Sequence, residues 1–137
     1  HGWLQERVQD AESRYALLIT SILSEDPERL SSLEELAFQF GKERAIDPSS
    51  DAVDAYRKLD DSLLNGMPCD RVNVITEQDP SRTSWVQEED IHAPFWNAVG
   101  GDPSVYYRLR RKIMEGMLSK TALHFDSDEE WHYSLYQ

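Results

Sequence analysis

The chain has 137 residues, 39% of them hydrophobic and 29% charged, with 26 acidic against 14 basic side chains and a formal charge of −12. That balance excludes a membrane-embedded protein and a disordered acidic tail, and no apolar run approaches the roughly 20 residues needed to span a bilayer. So acidic a chain repels phosphate, which makes nucleic acid an unexpected partner and a basic protein an expected one.

A single domain is predicted over residues 1–137, since a domain of roughly 150 residues buries about 68–70% of its unfolded surface without metal or disulfide staples. Four Trp, six Tyr and four Phe are available for its core. Cys69 stands alone, so no intrachain disulfide forms, and a reducing, cytoplasmic compartment is expected. The first residues lack the basic-then-apolar order of a signal peptide. A start at His1-Gly2 reads as a trimmed terminus rather than a copper-chelating one, because Trp3 onward already reads as helix. The first 70 residues hold seven basic and fifteen acidic side chains, a net of −8; the rest hold seven and eleven, a net of −4.

Leu4, Val8, Ala11, Tyr15, Leu18 and Ile22 recur at spacings of three and four, which predicts an amphipathic helix over 3–23 with those residues inward. It stops near Asp26-Pro27. Ser31 before Glu34, or Ser32 before Glu35, offers a capping box for a second helix. Leu33, Leu36, Ala37 and Phe40 form its stripe, and Gly41 is a possible C-terminal cap. Pro48-Ser49-Ser50 breaks the pattern before a third helix, about 51–64, built on Val53, Tyr56, Leu59 and Leu63 and ended by Asn65-Gly66.

The period then changes. Val72, Val74 and Ile75, then Asp79-Pro80-Ser81, then Trp85-Val86 predict a hairpin with a loop of about five residues. A short helix starts at Pro94 and closes at Gly100-Gly101. Asp102 caps a longer one with Pro103 at its first position and a stripe of Val105, Leu109, Ile113 and Met117. Residues 122–137 predict a second hairpin. A three-residue loop at 127–129 pairs Phe125 with Trp131 and Leu123 with Tyr133, keeping the large apolar groups on one face, whereas a four-residue loop mixes the faces. The fold class is therefore α+β, with three N-terminal helices followed by a ββαββ half that carries a small antiparallel sheet.

Four places could carry chemistry or recognition. In the preferred register His124 and His132 are cross-strand neighbours beside Asp126 and Glu130, a set of donors suited to a divalent transition metal. Glu88, Glu89 and Asp90 precede Ile91-His92 and, with Phe95 and Trp96, compose an acidic and aromatic patch for a partner, unless those two aromatics instead plug the gap between hairpin and helix. The carboxylates beside His92 could serve acid–base chemistry, although three acids in a row more often form a solvated loop. Arg108, Arg111 and Lys112 share one helix face near Tyr107 and could hold an anionic ligand or pair with the protein's own acids, Glu115 among them. Cys69 has no base assignable by spacing and reads as a small structural hydrophobe.

No catalytic motif accompanies the charge, so no enzymatic activity and no cofactor are expected. The leading expectation is an acidic protein-binding module, an inhibitor, immunity-type or accessory protein, that recognises a basic partner. The alternative is a small-molecule-binding domain or metal-dependent enzyme that uses the His124/His132 face or the 108–112 helix.

Overall fold

In the computed structural model of the protein, which describes residues 2–63, 72–128 and 130–137, Asp26 separates the first two helical segments. α1 (Gly2–Glu25) gives way to one 3-10 turn (Pro27–Arg29) and then to α2 (Leu30–Lys42). The Asp26 carboxylate accepts from the Glu28 amide at 3.0 Å. This aspartate therefore supplies the start that a capping box at Ser31 or Ser32 was expected to give. α3 (Ala52–Ser62) begins where Asp51 accepts from the Asp54 amide at 2.9 Å. The predicted end of this helix at Asn65-Gly66, Cys69, His1 and Glu129 lie outside the described residues.

β1 (Asn73–Asp79) and β2 (Arg82–Gln87) form the first hairpin. Asp79 pairs with Arg82, so the loop is Pro80-Ser81 and not five residues. The Asp79 carboxylate fixes the turn by accepting from the Ser81 amide at 2.9 Å and hydroxyl at 2.7 Å. α4 (Ala93–Ala98) and α5 (Pro103–Met117) follow, the latter capped by Asp102 as expected, through the Ser104 amide at 2.9 Å. β3 (His124–Ser127) and β4 (His132–Tyr136) complete a four-stranded antiparallel sheet of order β1-β2-β4-β3, in which β2–β4 pairing joins the two hairpins. The chain is thus α+β, with three helices ahead of the strand-bearing half.

The last hairpin corrects the predicted register. Phe125 faces Leu135 and His124 faces Tyr136, a slip of four from the expected pairing of Phe125 with Trp131. An even slip keeps every side chain on its face, so Phe125 and Tyr133 still point to the core and the hydrophobic pattern cannot tell the two registers apart. Loop chemistry decides. Asp128 accepts from the amides of Glu130 and His132, both at 2.9 Å, and donates its own amide to the His132 carbonyl at 3.1 Å. Trp131 takes a left-handed backbone conformation, φ 68°, to close the longer loop.

Two apolar clusters meet at α5. Tyr56, Leu59, Trp85, Met114, Met117 and Leu135 pack between α3, α5 and the sheet. Ala16, Ile19, Trp96, Val105 and Leu109 pack between α1, α4 and α5. The inward stripe of α1 is Glu12, Ala16 and Ile19, about 90° around the helix from the predicted one. Of the predicted stripe, Leu4, Ala11 and Leu18 are exposed, while Tyr15 packs against the helical cluster as expected. α2 and α5 approach backbone to backbone where a Cβ on Gly41 would lie 2.0 Å from the Ile113 carbonyl oxygen, and one on Gly116 2.2 Å from that of Phe38. Gly41 is therefore a close-approach residue and not a helix cap. No helix among the described residues is long and apolar enough to cross a membrane.

Candidate functional site

α5 presents different residues to different neighbours because its side chains advance 100° per position. Leu109 faces α1 and α4, Met114 and Met117 face the sheet, and Arg110 lies between them, 7% exposed.

On the α1–α2 side lies an apolar groove of about 300 Å³, lined by Tyr15 and Ile19 of α1, Leu36 and Phe40 of α2, and Leu109 and Ile113 of α5. That volume is at the lower end of ligand-sized clefts. The groove follows from how α2 is held. The glycine crossing fixes its backbone on α5, and Gly41 is the buried residue of the helix. Leu36 and Phe40, one turn apart and on one face, are left 65% and 46% exposed. The Arg44 guanidinium lies 3.6 Å from the centre of the Phe40 ring. Most of the acidic excess belongs to this end of the chain, with −8 of the −12 in residues 1–70.

Beneath α5 runs a polar network. His92, 1% exposed, pairs through Nδ1 with the Glu12 carboxylate and stacks on Tyr106 with ring centres 4.0 Å apart. Asp90 accepts from the amides of His92 at 3.0 Å and Ala93 at 2.9 Å, and from the Tyr107 hydroxyl at 2.6 Å. Gln87 donates to that hydroxyl at 3.0 Å, and its amide oxygen accepts from Arg110, also at 3.0 Å. Arg110 donates as well to the Tyr133 hydroxyl at 3.1 Å. Burial raises the Tyr107 phenol well above its ordinary range, and the hydrogen bond to Asp90 raises it further. Burial likewise raises Tyr106. Both phenols therefore stay neutral, and the network fastens α1, α5 and β4 to the β2–α4 segment.

Reading the sequence located only part of this. The run before α4 divides: Glu88 and Glu89 are exposed, while Asp90 caps α4 and His92 is enclosed. With His92 shut away from solvent, the predicted acid–base grouping is not assembled at a surface. Trp96 is 1% exposed and the half-buried Phe95 packs against the helical cluster, so the two aromatics plug the gap between hairpin and helix and do not form the expected partner patch. Corrected for register, His124 and His132 stand about 13 Å apart along the strands. His124 lies against Tyr136, His132 pairs with Asp128 at 3.0 Å, and Asp126 accepts from the Tyr136 hydroxyl at 3.0 Å. Glu130 is exposed in the loop. The predicted metal quartet is therefore not brought together, and no group of three potential ligands occurs among the described residues.

Arg108 pairs with Glu34 at 3.0 Å, and Arg111 and Lys112 both reach Glu115, at 3.2 and 3.4 Å. Tyr107, Arg108 and Arg111 do line one groove, on the hairpin side of α5, and Lys112 does not. Glu12 and Gln87 were not singled out from the sequence, and Arg110 was seen only as part of the basic run at 108–112. The signal for Gln87 was its place after Thr83 and Trp85 in the inward alternation of β2. The signal for Glu12 was one acid at helical spacing from Ala16 and Ile19. Protein-family models, curated proteins and solved structures were compared with this chain, and none of them matches it.

Proposed function

We propose that the protein is a protein-binding module whose acidic helical half receives an amphipathic segment of a basic partner in the α1–α2–α5 groove. The observation that carries this reading is the groove itself, with Leu36 and Phe40 standing out of it at 65% and 46% exposure. Large exposed apolar side chains gathered at a cleft are a common mark of a recognition surface. An apolar helix face laid into such a groove is a recurrent mode of peptide recognition. Charge bears on the partner: residues 2–42, which supply the α1 and α2 walls, hold eight acidic against four basic side chains, and this net of −4 favours basic flanks on that side of the groove over acidic ones. Roles of this kind include inhibitor, immunity-type and accessory proteins. A cytoplasmic setting belongs to the same reading.

The test is binding of a synthetic amphipathic helix with a leucine stripe and lysine flanks, followed by fluorescence polarisation. Leu36→Asp and Phe40→Asp should each weaken it by roughly 10- to 100-fold, since a buried side chain of this size contributes about 1.5–3 kcal/mol. Replacing the lysine flanks by glutamate should abolish the complex, and raised salt should slow association. Equal affinity for wild type and both variants, or an association rate indifferent to ionic strength, would remove the proposal.

A further inference from the structure

The second face of α5 carries a groove of about 470 Å³ between that helix and the β3–β4 loop. Its lining carries more polar and charged side chains than that of the helical groove, with which it shares Arg110. Arg108 and Arg111 stand at its mouth, Arg110 lies at its floor, and Tyr107 and Trp131 meet edge-on within it at 5.0 Å between ring centres. In a chain of net −12, three arginines within four positions concentrate positive charge on one face. Arg110 is buried and held in place by Gln87 and Tyr133, with its guanidinium 4.7 Å from the centre of the Tyr107 ring. The outer pair are held less firmly. Arg108 is 60% exposed beside Glu34; Arg111 is 44% exposed beside Glu115, with its guanidinium 5.1 Å from the centre of the Phe125 ring, and surface ion pairs of this kind contribute little to stability. Ser127, which accepts from Arg111, adds a hydroxyl to the same wall.

Trp131, whose backbone closes the β3–β4 loop, supplies the groove's second aromatic wall. It is the non-glycine residue with positive φ among the described residues, an unfavourable conformation for a bulky side chain. Strain of this kind gathers at ligand clamps. The conformation sets its indole against Tyr107 inside the groove. Asp128 also lines the groove, but its carboxylate is engaged by the amides of Glu130 and His132 and by the His132 ring.

We propose that this groove is a binding site for a small aromatic anion, a planar ring bearing a phosphate, with the ring against Tyr107 and Trp131 and the phosphate between Arg108 and Arg111. Arginine forks match phosphate oxygens in pairs, and aromatic walls take a flat ring with little specificity for its substituents. The acidity of the remaining surface favours a small ligand over a polyanion.

Titration calorimetry with 1-naphthyl phosphate, 1-naphthol and inorganic phosphate tests this directly. The ester should bind at least about tenfold more tightly than either part alone. The double variant Arg108→Ala/Arg111→Ala, at exposed positions and checked for folding by circular dichroism, should lose that advantage. Trp131→Ala should weaken the ester and naphthol but not phosphate, and Leu36→Asp, in the other groove, should change nothing. No saturation by the ester up to about 10 mM, equal binding of naphthol, or full affinity in the double-arginine variant each overturns the proposal.

Discussion

Between α5 and the sheet, Tyr56, Trp85, Met117 and Leu135 are each less than a tenth exposed. α1 spans 24 residues against 11 for α3, yet it buries only Ala16 and Ile19 and leaves Trp3, Leu4, Leu17 and Leu18 exposed. The sheet side closes on itself: Trp85 stacks with Tyr133, and Tyr56 and Phe125 lie close by, with centre distances from Trp85 of 5.6, 4.6 and 6.4 Å. The helical side is held by a polar pair, Glu12 with His92, and by a glycine crossing. Such fastenings fix where helices lie without covering their apolar faces. The difference teaches that apolar content and apolar burial have been separated here. The sheet side places most of its large apolar side chains in its core, with Val74 and Ile75 of the edge strand β1 left exposed, whereas α1 and α2 leave six at the surface: Trp3, Leu4, Leu17, Leu18, Leu36 and Phe40.

The largest effect is expected where the sheet side is cut. Trp85→Ala should cost about 3–5 kcal/mol in chemical denaturation, while Leu18→Ala on α1 should fall within about 0.5 kcal/mol of wild type. Comparable losses at both positions would erase the distinction. Gly116→Ala comes next. Its Cβ meets the Phe38 carbonyl oxygen at 2.2 Å, so α2 must move, and a net loss of about 2 kcal/mol is expected even after the gain in helix propensity.

Glu12→Gln should cost about 1–3 kcal/mol, because a hydrogen bond to a buried partner is lost or weakened. Its more telling readout is local: amide exchange should quicken along α1 and stay slow in β2 and β4. Uniform acceleration would mean that the two sides unfold as one. The smallest effect concerns pH. Burial, and then the neighbouring Asp61, raise the Asp60 carboxyl above its ordinary value. A folded-state pKa above the unfolded one favours the protonated form, so this group's contribution is present at low pH and lost as pH rises through the folded value. Asp60→Asn should therefore raise the melting temperature at pH 7, with the gap to wild type closing as pH falls below about 4.

How much of this was legible beforehand varies with the kind of signal. Asp102-Pro103 announced a helix start because a cap is a local hydrogen bond between near neighbours; the Asp51 cap of α3 is of the same kind and was not singled out. The faces of the last hairpin were legible from alternation, and Phe125 and Tyr133 lie where it puts them. The register was not, since an even slip leaves alternation untouched and the deciding contacts belong to Asp128 and to the backbone of Trp131. The two histidines of the expected metal face were separated by that slip alone. α1 offered two stripes at helical spacing, and the more hydrophobic one leaves Leu4 and Leu18 outside while only its Tyr15 packs against the helical cluster.

The order of elements, the α+β class and the acidity weighted toward the N-terminal half were settled by residues acting on near neighbours or by simple count. Tertiary structure alone decided which face of α1 turns inward, which carboxylate meets His92, and that Arg108 and Arg111 share a groove with Trp131, twenty or more residues further along the chain. The physical reason is range. Caps, turns and periodicity are set within a few residues, whereas a groove or a buried pair exists only once distant segments have found each other, and the free energy that selects among partners is not written in either segment alone.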